Sequence, residues 1–156
     1  NHLESTIKKI NNKLVNFSTE ASALVSVNKA IVTQASSAIP GVPLYISMLF
    51  KLMKERKTHE TAIDQIIRLF QDKLLDTNHP IVDVNGFIRL DDYELEDQLQ
   101  DAILKKWDIM SADNFLDLID LDQYTIDFHQ IFGFNVRAIN YQDLVETDPE
   151  YSIQTL

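Results

Sequence analysis

Cysteine is absent from this sequence, and glycine is scarce, with three among 156 residues. Without cysteine, a disulfide framework, a thiolate metal site and a cysteine nucleophile are all excluded. The three glycines, Gly41, Gly86 and Gly133, form neither a G-x-G-x-x-G fingerprint nor a P-loop. The chain therefore carries no phosphate-binding loop, and any nucleotide that it touches must be held mainly by something else.

Basic residues are in the minority, with 14 Lys and Arg against 24 Asp and Glu and a formal net charge of −10. That field repels nucleic acid and anionic lipid, so we expect neither nucleic acid nor a membrane as a partner. The longest strongly apolar stretch, about Ile39 to Phe50, is too short to span a bilayer. The start, Asn1-His-Leu-Glu4, lacks an initiator Met and a signal pattern, which suggests an internal cut. We expect a cytoplasmic protein.

The chain is long enough, and at 45% hydrophobic residues apolar enough, for one folded unit over residues 1–156. Apolar spacing predicts amphipathic helices from Leu3 to Leu14 and from about Tyr93 to Met110. A long apolar helix is predicted to begin near Pro43, since proline suits the first turn of a helix. Thr58 is expected to cap the next helix. The apolar face of that next helix is formed by Ile63, Ile66, Ile67, Phe70 and Leu74.

Little sheet is expected beside these helices. The β-branched run over residues 25–33 predicts one buried strand, and Lys29 interrupts it, so that one end should be less buried. Asn85-Gly86 stands between two short alternating runs, which predicts a small β-hairpin over residues 82–89. The strand would deliver a Thr-Gln-Ala-Ser-Ser loop onto a helix start, as ligand sites of α/β enzymes often do.

Two metal motifs are incomplete. His59-Glu60 begins the zinc motif H-E-x-x-H, but Ile63 stands where the second histidine belongs. A calcium loop around Asp83 and Gly86 would have Ile81, which cannot bind calcium, at its first position. We therefore predict no metal site and interpret His59, like the other histidines, as a surface or loop residue.

Three carboxylates, Asp117, Asp120 and Asp122, stand close together between apolar residues. A general acid–base pair is conceivable there. A solvated helix face with caps is the more ordinary interpretation, and we prefer it.

Several strings together resemble the carboxyl-terminal part of trans-2-enoyl-CoA, or enoyl-acyl-carrier-protein, reductases of the FabV type. The resemblance is most specific around residues 25–60 and covers nearly the whole chain. The matching segments are Val25 to Pro40, Pro43-Leu-Tyr45, Leu49 to Glu55, Thr58-His-Glu60, Gly86 to Arg89, Phe132-Gly-Phe134 and, less tightly, Asn140-Tyr141.

The resemblance implies an α/β fold: the mostly helical carboxyl-terminal part of an enlarged short-chain-dehydrogenase Rossmann fold. It implies NADH-dependent reduction of the C2=C3 double bond of trans-2-enoyl thioesters in fatty acid synthesis, by a monomer. Enoyl-CoA or the enoyl-acyl-carrier protein would be the partner, together with the amino-terminal half of the same protein. In the family a Tyr-x8-Lys pair is catalytic, and alignment places that pair just before residue 1. The chain should therefore contain no catalytic residue and be inactive alone.

Carried over by position, the resemblance implies that Ile31, Val32 and Thr33 bind the cofactor beside its nicotinamide. A strand end offers one main-chain donor and one acceptor to the carboxamide, and Thr33 adds a hydroxyl. Phe132 and Phe134 would flank the mouth of the pocket. The implied substrate pocket comprises Gln34, Ala35, Ser36, Ser37, Ile39, Pro40, Tyr45, Ile46, Leu49 and Phe50. For Ile46, Leu49 and Phe50 a plain core position is an open alternative.

Tyr45 and Lys54 also have Tyr-x8-Lys spacing. Nine residues of helix at about 100° each place them on opposite faces, so they cannot converge on one carbonyl. Tyr45 is interpreted as pocket wall and Lys54 as a solvent-facing charge. A second class of function remains open: a non-enzymatic, acidic helical interaction domain, motivated by the missing phosphate loop and catalytic pair.

Overall fold

The computed structural model describes residues 2–17, 21–136 and 138–144. Helices dominate, as the apolar spacing predicts. The elements are α1 His2–Leu14, β1 Val25–Val27, α2 Gln34–Ser37, α3 Val42–Arg56, α4 Ala62–Arg68, a π-helical segment Leu69–Lys73, β2 Phe87–Arg89, α5 Asp97–Asp108, α6 Phe115–Leu118 and α7 Leu121–Gln130. No helix in these described ranges has the length and hydrophobicity needed to cross a membrane.

The sheet consists of two short strands, β1 and β2, which pair in parallel with Val25 opposite Phe87. The strand predicted over residues 25–33 begins at Val25 as expected but ends at Val27. Beyond it, the main-chain N–H groups of Lys29 and Ala30 donate to the side chains of Gln65 and Glu94. Side chains thus take the place of a further strand.

The predicted hairpin over residues 82–89 is wrong, although its turn exists. Gly86 has φ +79°, and its N–H donates to the Asp83 carbonyl at 2.9 Å. The Asp83 carboxylate accepts the N–H groups of Asn85 and Phe87, and one main-chain bond, from the Asp83 N–H to the Phe87 carbonyl at 2.8 Å, also crosses the turn, but in the part of the chain that the structure describes no antiparallel strand pair extends from it. Phe87 to Arg89 pairs with β1, which lies some 60 residues earlier in the chain.

Helix α3 is the centre of the core. Pro43 lies in its first turn, as expected, and Lys57 ends it in the left-handed conformation. α5 and α7 pack against α3. The buried Ser47 hydroxyl bonds both the N–H and the carbonyl of Asp120, 3.0 Å each, and so fixes the start of α7. The buried apolar cluster is Val32, Ile46, Met48, Leu49, Phe50, Met53, Leu99, Ile103 and Ile119.

Two helix starts differ from the prediction. Thr61, not Thr58, caps α4, because Thr61 and Asp64 form a reciprocal capping box. α5 begins at Asp97 and not near Tyr93, because a turn closed by the Leu95 N–H and the Asp91 carbonyl precedes it. The predicted apolar face of α4 and the π-helical segment is largely exposed, including Ile63 and Phe70 at 64% and 63%.

Candidate cofactor and substrate site

A cavity of about 430 Å³ opens between four parts of the chain, one of them the segment from His59 to Ile63 at the start of α4. Ile31 to Thr33 form one wall, Phe50 of α3 forms the base, and α7 contributes Ile131 just after its last turn. The remaining lining residues are His59, Glu60, Thr61, Ala62, Ile63, Asp127 and Gln130. All three residues predicted to contact the cofactor thus line one cavity.

The main chain of this wall offers hydrogen-bond donors. Within the described part of the chain, the N–H groups of Ile31 and Val32 have no hydrogen-bond partner. The polar groups of Thr33 are used locally: its N–H donates to Ser36 Oγ at 2.7 Å, and its Oγ1 accepts the Ser36 N–H at 3.0 Å. Thr33 thereby caps α2, a role that the sequence analysis did not predict for its hydroxyl.

Two buried charges hold the residue just before this wall. The N–H of Ala30 donates to Glu94 Oε2 at 2.7 Å, and its carbonyl accepts from Lys29 Nζ at 2.9 Å. Lys29 is 1% exposed, so the lysine itself is buried although nearby Ile31 is 36% exposed. Burial lowers the pKa of Lys29 to about 8 although Glu94 opposes the change.

At the base of the cavity, the aromatic rings of Phe50 and His59 are in contact. The ring of His59 lies edge-on to that of Phe50, with 4.4 Å between centroids, and Lys29 Nζ lies 4.1 Å from the Phe50 centroid. Burial, and then the charges of Lys29 and Lys54, lower the pKa of His59 to about 4. His59 lies in the loop before α4, but it is not a surface residue, and its buried Nδ1 has no partner among the described residues.

The predicted pocket residues divide into four groups. Phe50 lines the cavity, and Ile46 and Leu49 are fully buried core residues, which agrees with the alternative left open for them. Tyr45 lies half-buried behind the wall and donates to Glu94 Oε1 at 2.7 Å. Its burial and this bond raise its pKa to about 12. The exposed residues are Gln34, Ala35, Ser37, Ile39 and Pro40, with Ser36 half-buried among them.

Tyr45 and Lys54 diverge, as their helical spacing predicts. Tyr45 bonds Glu94, whereas Lys54 Nζ lies 2.7 Å from Asp127 Oδ2 on α7. Lys54 is therefore paired and partly buried, and its interpretation as a solvent-facing charge is wrong. Phe132 and Phe134 are about half exposed, and their position at a pocket mouth stays a prediction.

Two of the acidic residues that the sequence singles out, Asp120 and Asp83, have structural roles. Asp120 accepts the Gln123 N–H at 2.9 Å and caps α7. The Asp83 carboxylate is engaged by its own turn and by Arg89. Among the described residues, no three His, Asp or Glu side chains come together as a metal site.

Lys29 and Glu94 belong to the surroundings of the cavity, although the residues predicted for the site did not include them. A lysine inside an apolar run was a signal for Lys29, because a buried ammonium requires a specific partner. Glu94 carried no signal, since it lies in an acidic stretch typical of a solvated surface.

Family models match most of the chain. Residues 1–75 match a model described as the trans-2-enoyl-CoA reductase catalytic region, and residues 82–145 match one described as the enoyl reductase FAD binding domain. The chain corresponds to the carboxyl-terminal part of the trans-2-enoyl-CoA reductase family. Strand β1, the cavity wall from Ile31 to Thr33 and helix α3 all lie within residues 1–75, the segment that matches the catalytic region.

Relatives of this reductase family align along almost all of the chain. An enoyl-[acyl-carrier-protein] reductase [NADH] of Coxiella burnetii is 42% identical over 147 residues, which are 94% of this chain and 36% of the relative. One of Cytophaga hutchinsonii is 42% identical over 155 residues, 99% of this chain and 38% of the relative. The chain thus spans little more than a third of the length of these relatives.

The fold agrees with that of a solved member of the family. The Treponema denticola trans-2-enoyl-CoA reductase, crystallised in complex with NAD, matches with a TM-score of 0.79 and 41% identity. The match covers 92% of this chain and 35% of that one. The mostly helical chain with its small parallel sheet is therefore part of an α/β reductase fold.

A flavin is not a good match to the segment whose family model mentions FAD. Residues 82–145 contain fourteen acidic and four basic residues, and a pyrophosphate would be repelled by that excess. Gly86 and Gly133 each lie in an isolated turn and form no phosphate-binding loop.

Proposed function

We propose that this chain is the carboxyl-terminal part of an NADH-dependent reductase of the C2=C3 double bond of trans-2-enoyl thioesters. The family match, the fold and the cavity support this function. The Rossmann sheet and the catalytic tyrosine and lysine would come from the rest of the protein, so the chain itself contributes no catalytic residue. We expect the intact reductase to be a cytoplasmic monomer that takes its thioester from CoA or an acyl-carrier protein.

One observation carries the cofactor assignment: the unpaired N–H groups of Ile31 and Val32 at the cavity wall. A main-chain N–H that has no protein partner and lies at a cavity wall is free to donate to an acceptor of a ligand. The carboxamide of a nicotinamide provides a carbonyl acceptor. When bound, NADH supplies the hydride for the β-carbon of the enoyl thioester.

The residues of this chain would orient the nicotinamide and exclude water from it. One main-chain donor of this wall, the N–H of Ile31 or that of Val32, would fix the rotation of the carboxamide, and a rigid geometry of this kind speeds a transfer between two bound molecules. Phe50 and Ile131 give the cavity apolar walls. The small side chains from Ala35 to Ser37 leave room at the end of the wall for the acyl thioester.

The test uses the full-length protein that contains this chain. NADH oxidation with crotonyl-CoA is followed by absorbance, and NADH affinity by fluorescence titration. Ala62→Trp would fill the cavity that Ala62 lines, and we expect NADH affinity to fall by about tenfold or more. Ala112→Trp, at an exposed alanine outside the cavity, is the matched control. Absence of turnover in the unsubstituted protein, or equal affinity of the two variants, would contradict the proposal.

The alternative of a non-enzymatic interaction domain is not favoured, because the relatives along the whole chain are reductases. The cavity and the unpaired N–H donors at its wall also favour a small ligand over a flat protein interface.

A further inference from the structure

Two charged side chains hold the main chain of Ala30, one at its N–H and one at its carbonyl. The Ala30 N–H donates to Glu94 Oε2 at 2.7 Å, and the Ala30 carbonyl accepts from Lys29 Nζ at 2.9 Å. Both side chains are buried, with Glu94 8% and Lys29 1% exposed. Hydrogen bonds to ionised groups are about twice as strong as neutral ones, so Ala30 is held firmly.

Glu94 is itself held by two further groups. Its second carboxylate oxygen accepts from the Tyr45 hydroxyl at 2.7 Å, and its carbonyl accepts from the Gln100 side-chain amide at 2.6 Å. The Gln100 amide also reaches the Tyr45 hydroxyl at 3.3 Å. The clamp on Ala30 is therefore anchored on both α3 and α5.

Lys29 connects the same clamp to the base of the cavity. Its ammonium lies over the ring of Phe50, which lines the cavity, while its own N–H donates to Gln65 at 2.8 Å. Neither Lys29 nor Glu94 lines the cavity. Their contacts with the lining of the cavity run through Ala30, which precedes the wall, and through Phe50 at the base.

We propose that Lys29 and Glu94 are positioning residues for the cofactor, an inference that rests on the proposed reductase function. By holding both sides of Ala30, whose carbonyl lies in the same peptide plane as the N–H of Ile31, they fix the direction of that N–H at the cavity wall, where it would meet the nicotinamide carboxamide. Neither touches substrate or cofactor, so neither is a catalytic residue.

Stability alone does not account for this arrangement. An apolar side chain of similar volume usually stabilises a core as well as a buried charge does, or better. The lowered pKa of Lys29 shows that burial of its ammonium is unfavourable. A charge kept at such a place is more simply explained by the backbone geometry that it enforces.

The experiment uses the full-length reductase and measures the KM for NADH, the KM for crotonyl-CoA, kcat and the melting temperature. Lys29→Met and Glu94→Leu each remove one side of the clamp. Glu94→Gln keeps an acceptor for Ala30 and a partner for Tyr45. Ile103→Val, in the core of α5, is a control for mild loss of packing.

We expect Lys29→Met and Glu94→Leu to raise the KM for NADH about tenfold or more, with the KM for crotonyl-CoA changed less than about twofold. The melting temperature of Lys29→Met should be unchanged or higher. Glu94→Gln should restore most of the NADH affinity. If Glu94→Leu does not fold, Lys29→Met and Glu94→Gln decide the question in the same way.

A KM for NADH that stays within about twofold in Lys29→Met would overturn the inference. So would a parallel loss of affinity for both substrates together with a lower melting temperature, as a purely structural role predicts. In either case the unsubstituted enzyme still oxidises NADH. A failure of the proposed function is distinguished by an unsubstituted protein that neither binds nor oxidises NADH.

Discussion

Lys54 Nζ lies 2.7 Å from Asp127 Oδ2 and joins the last turn of α3 to the middle of α7. Gln123 also donates to Asp127, at 3.0 Å from one turn earlier. Because Asp127 lines the cavity, this ion pair sets the distance between the base of the cavity and its α7 wall. The pair joins two residues that are 73 positions apart in the chain, so it should affect both the free energy of unfolding and the shape of the cavity.

We expect Asp127→Asn to lower the free energy of unfolding by about 1 kcal/mol, since the pair is only partly buried and solvent weakens it. Urea denaturation of the full-length reductase measures the change. Asp101→Asn, at an exposed carboxylate of α5, should change the same quantity by less than about 0.5 kcal/mol. Equal effects of the two substitutions would show that the pair does not stabilise the protein.

His59 should make stability depend on pH. Its pKa is lowered to about 4 in the folded chain, mainly by burial, against an ordinary value near 6.5. The unfolded chain therefore takes up the proton first as the pH falls. Stability from this group is complete above pH 6.5 and is lost toward pH 4, by about 1–2 kcal/mol after solvent screening is allowed for. His59→Gln should reduce this pH dependence, and parallel stability curves of the two proteins would contradict the assignment.

Lys29→Met should stabilise the protein near neutral pH. The pKa of Lys29 is lowered to about 8 by burial, so the unfolded state binds its proton more tightly. We expect a gain of about 2 kcal/mol in the free energy of unfolding at pH 7, which should shrink between pH 8 and 10.5 as the lysine of the parent protein becomes neutral. Chemical denaturation at pH 7 and pH 10 measures it, and a loss of stability at pH 7 would show that the bond to Ala30 outweighs the cost of burial.

Thr33→Ala should weaken the short helix α2. Its hydroxyl caps the helix in a reciprocal box with Ser36, and loss of such a cap costs about 1 kcal/mol. Thr33→Ser keeps the hydroxyl and should retain most of that stability. Thermal denaturation compares the two, and NADH titration shows whether the wall loses its geometry as well. Equal melting temperatures for Ala and Ser would rule out the capping role.

The exposed apolar face of α4 and the π-helical segment should make the isolated 156-residue chain prone to aggregate. Ile63 and Phe70 are more than half exposed, and a large apolar patch usually marks an interface. We expect the double variant Ile63→Gln, Phe70→Gln to stay monomeric at higher concentration than the parent, as measured by light scattering. The variant Asn12→Gln, Asn16→Gln on the polar part of α1 and its end is a control. Equal aggregation of the double variant and the parent would show that another surface causes the association.

Local signals predicted the helices well where neighbouring residues decide the structure. α1 and α3 follow from apolar repeats at three and four, and Pro43 marks the first turn of α3. The turn at Asn85-Gly86 is equally local, because Gly86 adopts its positive φ without a tertiary partner. The turn does not extend into a hairpin: beyond the single bond from the Asp83 N–H to the Phe87 carbonyl, the segment after the turn pairs with β1.

The candidate site shows the same division between features that the sequence predicts and features that depend on contacts between distant residues. The sequence predicted Ile31, Val32 and Thr33 as cofactor contacts through family resemblance, and the structure brings all three to one cavity. It could not predict that Glu94 would reach Ala30 across 64 residues of chain, or that His59 and Lys29 would meet on Phe50. Such contacts depend on how α3, α4 and α5 pack, and no local pattern encodes that packing.

By itself, the sequence determined the acidic and mostly helical character, the resemblance to enoyl thioester reductases and the absence of a phosphate loop, because each depends on composition or on neighbouring residues. The tertiary structure alone decided which charges are buried, that β1 pairs with β2, and that the donors of Ile31 and Val32 are left unpaired at a cavity. Those properties arise from contacts between residues far apart in the chain, where burial changes both the energy of a charge and the partners open to it.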